Sequence, residues 1–182
     1  MNSTKNKVRK RDSNGFSIME VVIAIGILSV SFVTLISLFA FNTRMEINSR
    51  NKIIASYLAQ EAIEVVRQTR DNNWSNNAPN WNDNIFYGDD IIIAMNNESN
   101  ILYGWEIVNG NAAKQKVYLY NDIYFQSKNA SINPGWKETP FSRHLVIEDD
   151  LSAPTDVIKI TAYVSYGSGE VRVVSYLYDE WH

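Results

Sequence analysis

Six residues near the start of the chain, Gly15-Phe16-Ser17-Ile18-Met19-Glu20, set up an acid–base problem. Five basic residues (Lys5, Lys7, Arg9, Lys10, Arg11) precede them, and after Glu20 no charged residue appears until Arg44. A charged side chain in the hydrocarbon of a membrane costs roughly 2.5–3.5 kcal/mol on insertion scales, so a carboxylate at the head of such a run calls for a partner. A cut between Gly15 and Phe16 would supply one. The new amine at Phe16 lies at the i, i+4 spacing from Glu20, where two side chains share a helix face. Amine and carboxylate then neutralise each other, within one chain or between neighbours, and the start of a helix further favours the anion. A signal-anchor with Glu20 in the headgroup zone is the simpler alternative.

The segment that must position these groups runs from Phe16 to Phe41 and is almost wholly apolar. As a helix it is ~39 Å long at ~1.5 Å per residue, enough to cross a ~30 Å hydrocarbon core with some tilt. Gly26, Ser29, Ser31, Thr34 and Ser37 are small or weakly polar and suit close helix contact. From Asn42 to Arg70 the pattern turns amphipathic, with Ile54, Tyr57, Leu58, Glu61, Ala62, Val65 and Val66 at helical spacing. With no proline or glycine between Ile27 and Arg70, one continuous helix is expected, ending at Asp71-Asn72-Asn73.

These residues resemble the prepilin cleavage and methylation segment of type IV pilins and type II secretion pseudopilins. Leu58 to Arg67 and Arg70 to Trp74 are similar to minor pilins and minor pseudopilins. The resemblance implies that a prepilin peptidase cuts after Gly15 and that Phe16 becomes the N-methylated first residue. It implies too that Glu20 pairs with the Phe16 amine of a neighbouring subunit during filament assembly. The fold it implies is α+β and pilin-like, a long N-terminal helix packed on an antiparallel sheet. The partners it implies are other pilins or pseudopilins and the cytoplasmic membrane, with a filament expected on the cell surface or in the periplasm.

The division of the chain that follows is a leader (1–15), a transmembrane half-helix (16–41), an amphipathic half-helix (42–71) and a globular sheet domain (72–182). A length of 182 residues allows one such domain beyond the anchor. The basic leader stays in the cytoplasm by the positive-inside rule, leaving the rest of the chain outside. Since the net charge is −3 including that basic leader, the remainder is acidic, and direct nucleic-acid binding is not expected. Cysteine is absent, so the exported domain is held by its core alone.

Asn72 to Asp90 reads as a long irregular connection. Strands are expected at Ile91–Ala94, Ile101–Val108, Lys116–Phe125, Arg143–Glu148, Val157–Tyr166 and Glu170–Tyr178, with an irregular stretch over Lys128–Pro140. Tyr166-Gly167-Ser168-Gly169-Glu170 has the composition of a hairpin turn.

Candidates for catalysis are thin. The two histidines, His144 and His182, cannot build a zinc site without cysteine, and His144 reads as a strand residue. The pairs Asp89-Asp90 and Asp149-Asp150 lack the spacing of a calcium loop and read as solvated turns. Trp105 is expected in the core, while Trp74, Trp81 and Trp136 lie in polar stretches and stand between core and surface. No cofactor is expected and no enzymatic constellation is found. A second functional class remains open: a signal-anchored extracellular binding module or adhesin that holds a glycan or protein on its aromatic loops.

Overall fold

The computed structural model describes residues 15, 17–95, 105–111, 115–128, 135–149, 157–167 and 169–179. Among the described residues one helix, α1 (Ile18–Ser75, 58 residues), is followed by seven strands. These are β1 (Gly88–Met95), β2 (Trp105–Asn109), β3 (Lys116–Tyr120), β4 (Ile123–Ser127), β5 (Lys137–Asp149), β6 (Val157–Tyr166) and β7 (Gly169–Tyr178). The chain divides into two compact units, Met1–Glu46 and Ile47–His182, with the division inside α1.

In the first unit the side chains from Ile18 onward are exposed, and the most apolar window of α1 has a mean hydropathy of 2.6 with none of it buried. The helix is long and apolar enough to cross a membrane. Its buried face begins only in the second unit, at Ala55, and continues through Leu58, Ala59, Ala62, Ile63, Val65 and Val66. That stripe differs from the expected one. Tyr57 is 67% exposed, and the three alanines are completely buried. Small side chains at these helical intervals let the backbone approach the sheet, whereas a tyrosine there would hold the layers apart.

The helix ends later than expected, at Ser75, in a Schellman arrangement. Asn77 takes the left-handed φ of 52°, its N–H donates to the Trp74 carbonyl (3.1 Å), and the Ala78 N–H donates to the Asn73 carbonyl (2.9 Å). Asparagine tolerates this conformation better than other non-glycine residues.

The strands form one sheet in the order β2-β1-β4-β3-β5-β6-β7. The fold is therefore α+β, with one correction: β1 and β4 pair in parallel, at Ala94↔Gln126 and Met95↔Ser127, so the sheet is mixed. The long strand β5 accounts for this. Its first part pairs with β3 and its later part with β1, while β6 lies along its other side. The β3–β4 hairpin is wedged into the fork where the partner changes.

Strand boundaries also differ from expectation at three places. Lys116–Phe125 is a hairpin rather than one strand, because Asn121 and Asp122 both have positive φ (49° and 62°), the signature of a type I′ turn. Strand β5 begins at Lys137, inside the stretch expected to be irregular, and carries Pro140. The proline is tolerated because the β3–β5 register shifts between Lys116↔Ser142 and Tyr118↔Glu138, a bulge where a ladder N–H is dispensable. Asp89 and Asp90 likewise belong to β1 rather than a turn. The Ile101–Gly104 part of the expected second strand lies outside the described residues.

The β6–β7 hairpin is as expected, with Gly167 at a φ of 52°. A single core joins the buried face of α1 to Ile91, Ile93, Val117, Phe141, Leu145, Ile147, Ile160 and Val164 of the sheet. Trp81 and Trp105 pack against it half-buried, and Trp136 makes an edge contact with Phe125 at 4.7 Å.

Candidate functional site

The acid singled out by the sequence sits in the first turn of α1. Ser17 precedes the helix, and its carbonyl accepts from the N–H groups of Glu20 (3.0 Å) and Val21 (3.2 Å). Ser17 is thus the N-cap and Glu20 the third helical residue, the spacing of a capping box. The Ser17-Ile18-Met19-Glu20 pattern carries that signal in the sequence itself. A carboxylate here is favoured by the unsatisfied N–H groups and by the helix dipole. Glu20 is exposed, and among the described residues no side chain forms an ion pair with it. Gly15 lies just outside the helix; Phe16 and the basic leader fall outside the described residues.

Behind Glu20, the polar side chains of the apolar run bond within the helix. Ser29, Ser31, Thr34 and Ser37 donate their hydroxyls to the carbonyls of Ile25, Ile27, Val30 and Val33 at 2.8–3.0 Å. Hydroxyls bonded one turn back satisfy their donors internally, which suits an apolar surrounding. Glu20 is therefore the one ionisable group between Gly15 and Arg44.

A second cluster was not legible in the sequence. Arg143, on β5 at the fork of the sheet, is 1% exposed. Its backbone N–H donates to the Gln115 carbonyl (2.8 Å) and its Nε to Oε1 of Gln126 (2.8 Å). Nη1 donates to the Leu58 carbonyl (3.0 Å) and to Oε2 of Glu61 (2.8 Å), tying the sheet to α1. Gln126 returns bonds from Nε2 to the Gln115 and Arg143 carbonyls at 3.0 and 2.7 Å, closing the fork that regular ladder bonds leave open. Nη2 is buried with no partner among the described residues. Burial pushes the guanidinium below its ordinary pKa, and the Glu61 carboxylate opposes that shift. A single arginine salt-bridged to Glu61 across two layers is a structural tie.

The remaining candidates resolve as packing. His144 stacks on Tyr163 with centroids 5.0 Å apart, on the outer face of the sheet. Asn73 is buried at the end of α1 and donates from Nδ2 to the Trp81 (2.9 Å) and Asp83 (2.7 Å) carbonyls, which organises the connection to β1. Arg70 lies over the Trp74 ring at 4.3 Å. Asp90 accepts from Gln115 at 2.8 Å. Among the described residues no three His, Cys, Asp or Glu side chains gather where they could share a metal ion. An open groove of about 420 Å³ runs between Ile54, Tyr57, Leu58 and Glu61 of α1 and Asp122, Ile123 and Tyr124 of the β3–β4 hairpin.

In comparisons with known proteins, no family model, no curated protein and no solved structure matches this chain.

Proposed function

We propose that this chain is a minor pilin or pseudopilin, a structural subunit rather than an enzyme, assembled into a type IV pilus or a type II secretion-like filament. The observation that carries this reading is the placement of Glu20. It stands at the N-terminal end of a helix whose residues 21–41 present only apolar and internally bonded side chains. Prepilin peptidase cuts between Gly15 and Phe16, and the Phe16 amine is methylated. The helix holds the subunit in the cytoplasmic membrane, leader side inside and sheet domain outside. A neighbouring subunit's Phe16 amine then neutralises Glu20 as the helix enters the filament. Desolvating both charges together is far less costly than desolvating either alone.

The test is substitution of Glu20 by alanine in the full chain. Loss of the subunit from sheared filaments, with its membrane level and sheet domain intact, is the expected result. Unaltered assembly counts against the pairing mechanism.

A second reading, a signal-anchored binding module, is favoured by one observation: Glu20 lies in the first turn of α1, where the helix dipole favours an acid without any partner. Under that reading Glu20→Ala leaves surface display unchanged.

A further inference from the structure

The two edges of the sheet are built differently. At one edge the described part of β2, Trp105–Asn109, carries Glu106, which is paired with Lys128 at 3.0 Å. A charge on an edge strand helps protect that edge. At the other edge β7 runs for ten residues and matches β6 from Val157↔Tyr178 to Tyr166↔Gly169 with no bulge. It contains no proline and no lysine.

Its two charges lie at one end and lean inward over β6. Arg172 lies over the Tyr163 ring at 5.6 Å, and Glu170 accepts from the Ser165 hydroxyl at 3.3 Å. What remains is Val173-Val174-Ser175-Tyr176-Leu177-Tyr178, a charge-free run of β-favouring residues without proline or glycine. Such a run on a regular edge is a template for a further strand. Val174, Tyr176 and Tyr178 are 41%, 45% and 49% exposed along it. The one described side chain that reaches its backbone is Arg70, whose Nη1 touches the Tyr178 carbonyl at 3.5 Å at the far end.

We propose that β7 is a self-association edge, on which β7 of a second copy adds in antiparallel fashion about a two-fold axis at Ser175. The sequence is complementary to itself in this register. Val174 falls opposite Tyr176, and Val173 opposite Leu177, pairs of β-branched residues with an aromatic or aliphatic neighbour that stabilise antiparallel ladders. Residues that face each other across the axis lie on the same side of both sheets, so the two inner faces stay continuous. A two-fold pairing of one surface with itself closes at the dimer and leaves no further free edge of this kind. The proposal does not depend on cleavage at Gly15 or on the role of Glu20.

The absence of cysteine makes the test direct. Full-length chain carrying Ser175→Cys is oxidised in detergent micelles. Antiparallel pairing places the two introduced sulfurs within disulfide reach, so a covalent dimer is expected. Lys159→Cys, one strand in from the edge, should give at least tenfold less. Adding Val174→Lys or Tyr176→Lys to the Ser175→Cys chain should cut the dimer yield about tenfold without unfolding the protein, since both side chains are exposed. Association through the apolar part of α1 would cross-link both cysteine positions alike and ignore the lysines. That outcome, or a Ser175→Cys chain that stays monomeric, overturns the proposal.

Discussion

Arg143 and Glu61 stand 82 residues apart in the chain and meet at 2.8 Å, an arginine in the centre of the sheet reaching a carboxylate on the helix. The same Nη1 also bonds the Leu58 carbonyl one turn earlier. This contact ties the helix to the sheet with direction, which the alanines and valines around it cannot do.

Removing the acid leaves the buried cation without its counter-charge. Loss of one member of a fully buried pair costs about 3–5 kcal/mol. The Glu61 side chain is 37% exposed and water can partly replace it, so Glu61→Leu should cost about 2–3 kcal/mol. The double variant with Arg143→Met should cost clearly less than the sum of the two singles. Urea unfolding of the four proteins of that cycle measures the coupling, and strict additivity would deny the tie.

Asn73 holds two carbonyls of the connection between α1 and β1. Asn73→Ala should destabilise the protein by about 1–3 kcal/mol, because buried acceptors lose their donor. Hydrogen exchange should rise in the segment from Trp81 to Phe86 before it rises in β5 and β6. Uniform loss of protection would argue against a local clamp.

The hairpin joining β3 to β4 asks for positive φ at two consecutive residues. Asp122→Gly relieves the steric cost there and should stabilise by about 0.5–1 kcal/mol, while Asn121→Val should destabilise by at least as much. A change in thermal midpoint of opposite sign for the two variants is the check.

Burial raises the Tyr87 hydroxyl above its ordinary pKa of 10.0; the hydrogen bond from Asn82 lowers it, and the Asp149 charge adds to the rise. A group whose folded pKa is raised gives stability that is present below the unfolded value and lost as pH rises through the folded one. Stability should therefore fall above about pH 10, and Tyr87→Phe should flatten that fall. A wild-type and variant pair with parallel pH profiles there would contradict the assignment.

Periodicity made much of this fold legible. The helix, its turn to amphipathic character, and the β6–β7 hairpin follow from local pattern, as does the acid at the head of the apolar run. What escaped was decided at a distance. The start of β5 at Lys137 falls in the stretch expected to be irregular, because the register shift that accommodates Pro140 is a property of pairing with β3. The parallel β1–β4 contact depends on where β5 changes partners. Arg143 read as an ordinary strand residue because its counter-charge lies on a different element. Tyr57 was placed on the buried stripe by spacing alone, although the neighbouring alanines decide which side of the helix can approach the sheet. The Ser17-to-Glu20 spacing at the start of the helix is equally local.

The central claim is that Gly15 and Phe16 mark a cleavage site and that Glu20 acts with the amine so released. The most direct measurement is the mass and N-terminal sequence of the protein recovered from membranes, with and without a prepilin peptidase. A mature chain that begins at Phe16 and carries one additional methyl group, only when the peptidase is present, is the predicted result. An intact leader in both samples, or a cut beyond the apolar run, would contradict the account and leave the anchored or secreted binding module in its place.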